Sequence, residues 1–167
     1  IMAKHLNKNI KVIGVQTELY PSLHNIFNKG KNKCQGTTLA EGIAVQNIGS
    51  IPLSIIKNNV DDVILVTEKY IEEGVSRFLL NDKTVAEGAG AIGLAALLQY
   101  KEKFKSKKVG ILLCGGNIDS RVLSSVLMRD LVRKGQIITL SIAMADKPGQ
   151  LGIISKLCSK EKVNILG

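Results

Sequence analysis

The 167-residue chain contains no tryptophan, three phenylalanines and three tyrosines, so aromatics make up only 4% of it. A core of this composition must be filled by Ile, Leu, Val and Ala. The length allows one ordinary domain with part of a second. Cysteine is scarce. Cys34, Cys114 and Cys158 are odd in number and far apart, which excludes a disulfide framework and a metal-ligand spacing; a reducing, cytoplasmic setting is expected. No run of 18 apolar residues occurs and no signal-peptide pattern opens the chain, so neither membrane insertion nor secretion is expected. His5 and His24 are the only histidines, both in helix-like polar surroundings where surface positions are expected. Three prolines against sixteen glycines do not point to disorder.

Acidic residues are also few: 14 Asp+Glu against 23 Lys+Arg, a formal net charge of +9. The densest positive run, residues 101–108, holds one aromatic and falls between a helix-like stretch and an apolar run. A solvated connector explains it, and no nucleic-acid partner is expected. The diffuse positive field attracts anionic substrates.

What the chain does contain is a pattern of short apolar runs alternating with helical stretches. Residues 11–15 and 62–66 read as buried strands, and residues 109–113 as a third. Helices are expected at 1–6, 21–29, 51–58, 68–81, 85–98 and 118–134, with a polar loop at 30–36 and a turn at Gly42. Thr67 is the expected N-cap of the fourth of these helices, with Glu68 as an acid in its first turn. Three strands alternating with helices argue for a parallel α/β layer. Beyond Gly135 the pattern changes. Residues 137–144 read as a strand, 145–149 as a tight turn, 151–160 as an amphipathic helix with Leu151, Ile154, Leu157 and Cys158 on one face, and 163–165 as a further strand. The expected domains are therefore 1–134 and 135–167.

The run Val109-Gly-Ile-Leu-Leu-Cys-Gly-Gly-Asn117 carries most of the functional signal. An apolar strand ends in a small polar residue and two glycines, and a helix follows. Open α/β sheets bind ligands at such carboxyl ends, and Gly115 and Gly116 permit positive φ and close approach to the backbone. Cys114 is the last strand side chain before the cleft, although a buried cysteine as often serves as a small hydrophobe. Glu87 opens the Ala- and Gly-rich stretch 85–98, whose small side chains let a helix lie close to a sheet or a ligand. A helix-start acid stabilised by the dipole accounts for it equally well. Asn117 is expected to cap the following helix.

Three motifs together, Thr38-Leu-Ala-Glu-Gly-Ile-Ala-Val45, Val85-Ala-Glu-Gly-Ala-Gly-Ala91 and Leu113-Cys-Gly-Gly-Asn-Ile-Asp119, resemble the threonine dehydratases, pyridoxal-phosphate enzymes of the tryptophan-synthase-β fold (fold type II). Val60-Asp-Asp-Val63 lies in register with them. Asp146-Lys-Pro-Gly-Gln-Leu151 with Val163-Asn-Ile165 is similar to the opening of an ACT domain, the ferredoxin-like amino-acid-sensing module that follows some of these catalytic domains. The resemblance implies the C-terminal portion of a catalytic domain, with its parallel sheet, followed by the first β-α of an ACT segment.

The family's Schiff-base lysine, Ser-rich loop and Gly-rich phosphate loop match nothing in this chain. No catalytic residue is therefore assigned, and the chain alone is expected to be inactive and without bound cofactor. The resemblance implies that Cys114 matches the neutral Ser or Cys partner of the pyridine nitrogen. Glu87 matches a glutamate near the ring, and Gly42 and Gly115 approach the cofactor through their backbone. The implied reaction is β-elimination from threonine or serine to 2-oxobutanoate or pyruvate and ammonia. An effector site for a branched-chain amino acid, such as isoleucine or valine, is implied at Asp146, Gly149, Leu151 and Asn164. A homo-oligomer with a part in isoleucine biosynthesis is implied as well. A stand-alone amino-acid sensor and a related enzyme acting on serine are the competing readings. Serine racemases carry an acidic divalent-cation site after the strand that begins here at residue 11. The matching Gln16, Tyr20 and Ser22 supply no carboxylate, so no metal site is expected.

Overall fold

A computed structural model describes residues 1–166. They form two compact units, 1–136 and 137–166.

In the first unit, helix α1 (Met2–Leu6) leads to strand β1 (Ile13–Thr17), helices α2 (Ser22–Asn28) and α3 (Ser50–Asn59), and strand β2 (Asp62–Val66). β1 and β2 pair in parallel, with Ile13 opposite Asp62 and Thr17 opposite Val66. Parallel strands need a crossover connection, and residues 18–61 supply one. Next come α4 (Glu68–Asp82), α5 (Gly88–Gln99), the single turn α6 (Lys101–Phe104) and α7 (Ser120–Arg133).

The core is aliphatic. Ile64 and Val66 of β2 pack with Ile71, Ala95, Ala96 and Ala40. A second cluster joins Val75 and Phe78 of α4 to Ala86, Ala91 and Val126. α4 and α5 approach closely because Gly74 has no side chain: a Cβ there would sit 3.0 Å from the Ala91 carbonyl oxygen.

Polar side chains set several element ends. The Gln16 Oε1 accepts the N–H groups of Leu23 and His24, each at 2.9 Å, and so caps the start of α2 from the neighbouring strand. Gln16 Nε2 donates to Ser22 Oγ, Ser22 Oγ donates to the Val45 carbonyl, and the Tyr20 hydroxyl donates to the Gly36 carbonyl. Asp130, buried in α7, accepts Ser76 Oγ from α4 at 2.5 Å and the ammonium of Lys134. Burial pushes its carboxyl up. The bonds from Lys134 and Ser76 outweigh that, and it stays below the ordinary carboxylate value.

Asp61 ties α1 to the strands. It accepts Lys4 Nζ at 2.9 Å and the Val12 N–H at 2.7 Å. These two bonds, with the charge of Lys11 nearby, hold its pKa down from 3.8 to about 2. A carboxylate depressed in the folded state stabilises above its unfolded pKa, and that stability is lost as pH falls through the folded value. Asp61→Asn is therefore expected to lower the melting temperature at about pH 6. The difference from the unaltered chain should close as pH falls from 3.8 towards 2. Melting followed by circular dichroism across that range checks this; a difference that stays constant with pH overturns it.

Several sequence expectations need correction. Residues 109–113 belong to no helix or strand and pair with no strand among the described residues, and Val109, Ile111, Leu112 and Leu113 are exposed. A strand exists by its ladder, and the two-stranded sheet offers this run no partner. Cys114 is accordingly an exposed residue outside any strand. Thr67 sits at the N-cap of α4 but makes no side-chain cap bond. The cap of α7 is Asp119, which accepts the Arg121 N–H at 2.8 Å and the Val122 N–H at 3.3 Å; it takes the role expected of Asn117. His24 is half-buried, and its Nδ1 has no partner among the described residues, so it is not a free surface histidine.

The second unit contains helix α8 (Gln150–Lys160), which follows Gly149 at φ +89°. Residues 137–144 and 163–165 form no strand among the described residues, and Ile138, Leu140 and Ile142 are exposed. Of the expected first β-α of an ACT segment, the helix is present, and the strand expected at 137–144 has no ladder partner among the described residues. Asp146 and Gly149 are exposed at the turn into α8, Leu151 is exposed in its first turn, and Asn164 lies beyond its far end.

Candidate functional site

Three chain segments converge on the first turn of α5. Each is held there by contacts that only glycine permits. Glu87 is the N-cap, with extended backbone. Its N–H donates to the Gly115 carbonyl at 3.1 Å, which ties the 114–116 turn to the start of the helix. Gly88 faces the second segment: a Cβ there would stand 2.3 Å from the Leu39 carbonyl oxygen. Gly90 faces the third, with the Cys114 carbonyl oxygen 2.2 Å and the Gly115 carbonyl oxygen 2.7 Å from where its Cβ would be. One turn further on, a Cβ on Gly93 would lie 3.2 Å from Ile111. The run 111–115 therefore lies along the Gly90–Gly93 edge of α5. The small residues of 85–98, read from sequence as a close-packing surface, are used for this.

Gly115 has φ +86° and no room for a side chain: its Cβ would fall 2.3 Å from Glu87 Oε1. Gly116 is not in the left-handed region. It is constrained instead by the Val85 carbonyl, 2.9 Å from its Cβ position. Gly42 lies in a 3₁₀ turn, Glu41–Ile43. Its Cβ position is 3.3 Å from Ala89 Cβ and 3.8 Å from Glu87 Oε1. The half-buried Glu87 carboxylate thus stands between two glycines from distant parts of the chain, and it accepts no hydrogen bond from the described residues.

The structure therefore brings Gly42, Glu87 and Gly115 together and sets the Cys114 backbone against the same helix turn. Asp146, Gly149, Leu151 and Asn164 belong to the other unit. Sequence reasoning missed Gly88 and Gly90 as the points of closest approach, and missed Glu68. The Gly-Ala-Gly spacing within 88–90 was the available signal for the first two. Nothing in the sequence indicated that the Glu68 side chain leaves its own helix.

Chemically, the site offers an exposed thiol-bearing residue, an acceptor carboxylate without a protein donor, and glycine backbone on both sides of it. Among the described residues no group of three or more His, Cys, Asp or Glu is placed to hold a metal ion.

The family model described as pyridoxal-phosphate dependent enzyme matches residues 2–115, a span that ends at the Gly115 turn. The chain is similar to an L-threonine ammonia-lyase of Thermotoga maritima, 38% identical over 163 residues that cover 94% of this chain and 40% of that protein. It is also similar to a serine racemase of Schizosaccharomyces pombe, 34% identical over 121 residues, 71% of this chain and 38% of that protein. Among solved structures, the processed form of threonine deaminase isoform 2 from Solanum lycopersicum superposes with a TM-score of 0.66 at 25% identity, covering 75% of this chain and 38% of that one. The chain spans about two fifths of the length of the curated relatives it matches.

Proposed function

Because this chain belongs to the pyridoxal-phosphate-dependent enzyme family, we propose that it forms one wall of the cofactor site of an ammonia-lyase acting on L-threonine. The proposed products are 2-oxobutanoate and ammonia, formed by elimination of the β-hydroxyl. The observation that carries this reading is the glycine-walled Glu87 carboxylate, with Gly42 and Gly115 on either side and the Cys114–Gly115 backbone locked to α5. The similarity to L-threonine ammonia-lyases at 38% and 37% identity supports the choice of substrate.

Pyridoxal phosphate, when bound, supplies an electron sink that eases loss of the α-proton from an attached amino acid. The residues of this chain would bind and orient it. Cys114 would be the partner of the ring nitrogen, offering a thiol in place of a charged group, and Glu87 would supply the carboxylate of this wall. Gly42 and Gly115 leave the space a side chain would fill. Serine is the second candidate substrate, favoured by the serine racemases among the similar proteins. Against racemisation stand Gln16, Tyr20 and Ser22, whose polar atoms are engaged with one another, with the α2 backbone and with loop carbonyls.

The test uses the complete polypeptide that carries this chain. Loaded with pyridoxal phosphate, it is expected to release 2-oxobutanoate from L-threonine faster than pyruvate from L-serine, without forming D-serine. Cys114→Ser is expected to keep kcat/KM within about threefold, and Cys114→Asp, which places a carboxylate at the ring nitrogen, to lower it at least about tenfold. Equal activity in both variants overturns the role of Cys114. Absence of 2-oxobutanoate overturns the substrate.

A further inference from the structure

Glu68 opens α4, where the helix dipole alone would explain an acid. Its carboxylate is instead spent entirely outside the helix. One oxygen accepts the hydroxyls of Thr17 at 2.7 Å and Thr38 at 2.6 Å, and the other accepts the Leu39 N–H at 2.8 Å. Thr17 ends β1 and is fully buried; Thr38 is buried too. The Thr38 hydroxyl oxygen accepts the Ala40 N–H at 3.1 Å, and the Ala40 carbonyl accepts the Ile43 N–H at 3.1 Å, which closes the turn that carries Gly42. An unbroken series of hydrogen bonds thus runs from Glu68 to the Gly42 turn. Between those ends, the Leu39 carbonyl rests against Gly88, one residue from Glu87.

We infer that Glu68 is a positioning residue: it fixes the height of the Gly42 turn over Glu87 and thereby sets how tightly the site holds pyridoxal phosphate. This rests on the cofactor reading above. Two features argue for it. Two of the three bonds Glu68 accepts come from residues 38–39, the segment that leads into the site, and the third, from Thr17, holds the carboxylate at the carboxyl end of β1. Between α2 and the 3₁₀ turn the segment contains no helix or strand; its other ties, the Gln35 N–H to the Leu19 carbonyl and the Tyr20 hydroxyl to the Gly36 carbonyl, lie before residues 38–39. A charged acceptor bonded by three donors is a stiff anchor, since hydrogen bonds to an ionised group are shorter and stronger than neutral ones.

The experiment compares Glu68→Ala, Glu68→Gln, Thr38→Val and Thr38→Ser in the complete polypeptide. Pyridoxal-phosphate affinity is read by cofactor fluorescence, cofactor geometry by visible circular dichroism, and the segment itself by hydrogen exchange of the 38–44 amides. Glu68→Ala and Thr38→Val are expected to speed exchange at 38–44, weaken cofactor binding about tenfold and change the dichroism. Glu68→Gln, which keeps an acceptor oxygen, should fall between, and Thr38→Ser, which keeps the hydroxyl, should restore the native behaviour. Thr38→Val conserves shape at a buried position, so it reports even if Glu68→Ala fails to fold. Faster exchange with unchanged affinity and dichroism would leave Glu68 a purely structural residue and overturn the inference, as would unchanged exchange. An unaltered protein that binds no pyridoxal phosphate overturns the cofactor reading and this role with it. If the unaltered protein and the variants bind equally well, only the positioning role fails.

Discussion

Gly90→Ala is expected to destabilise the first unit by about 2 kcal/mol and to weaken pyridoxal-phosphate binding in the complete polypeptide by at least about tenfold. Helix propensity alone predicts the opposite, because alanine is better than glycine inside a helix by about 1 kcal/mol. Packing decides the sign. The added Cβ would stand 2.2 Å from the Cys114 carbonyl oxygen and 2.7 Å from that of Gly115. Both are backbone atoms, so no rotamer change relieves the contact, and overpacking costs of about 1–3 kcal/mol apply. The run 111–115 must lift off α5, and the Glu87 N–H to Gly115 bond goes with it. Gly110, with nothing within 4 Å of its Cβ position, is the control: Gly110→Ala should change stability by less than about 0.5 kcal/mol. Urea unfolding and a cofactor titration read both variants. Equal stability for the two would show that 111–115 does not lie against the helix.

Ile71→Ala is expected to cost more, about 3–5 kcal/mol. Ile71 is fully buried between β2 and α5, among Ile64, Val66, Ala95 and Ala96. Two of those neighbours are alanines and two belong to a strand, so little side chain can move in to fill the hole, and the cost falls in the upper part of the usual range. The urea midpoint followed by circular dichroism should drop with the slope unchanged. Ile71→Val should lose only about 0.5–1.5 kcal/mol. A loss below about 1 kcal/mol for the alanine variant would mean that α4 does not pack on β2 as described.

Local rules sufficed where a segment's state depends on its own residues. Asp62–Val66 is the predicted strand to the residue, and α2, α3, α4 and α8 fall within a residue or two of the expected helices. Gly42 marks a real turn, and the Gly- and Ala-rich stretch does pack closely. The errors fall where state depends on a partner. Residues 109–113 and 137–144 have the apolar content of strands and no ladder to join. Capping by Asp119 in place of Asn117 is a matter of a two-residue offset, which spacing alone does not resolve. The membership of Gly42, Glu87, Gly115 and Cys114 in one site came from motif resemblance, and their convergence came from coordinates.

The sequence by itself determined the aliphatic α/β character of this protein, most of its helices, strand β2, the presence of strand β1 (expected at 11–15 and formed two residues later, at Ile13–Thr17), and the motifs that mark a pyridoxal-phosphate family member. Those follow from periodicity, turn chemistry and residue type, which act over a few positions. Only the tertiary structure decided which glycines are indispensable and that Glu68 reaches out of its helix to hold Thr38 and Leu39. It also decided that the run before Cys114 lies on α5 with its apolar residues open. Those depend on atoms 18 to 49 positions apart meeting within hydrogen-bond or van der Waals distance, and no local pattern encodes such a meeting.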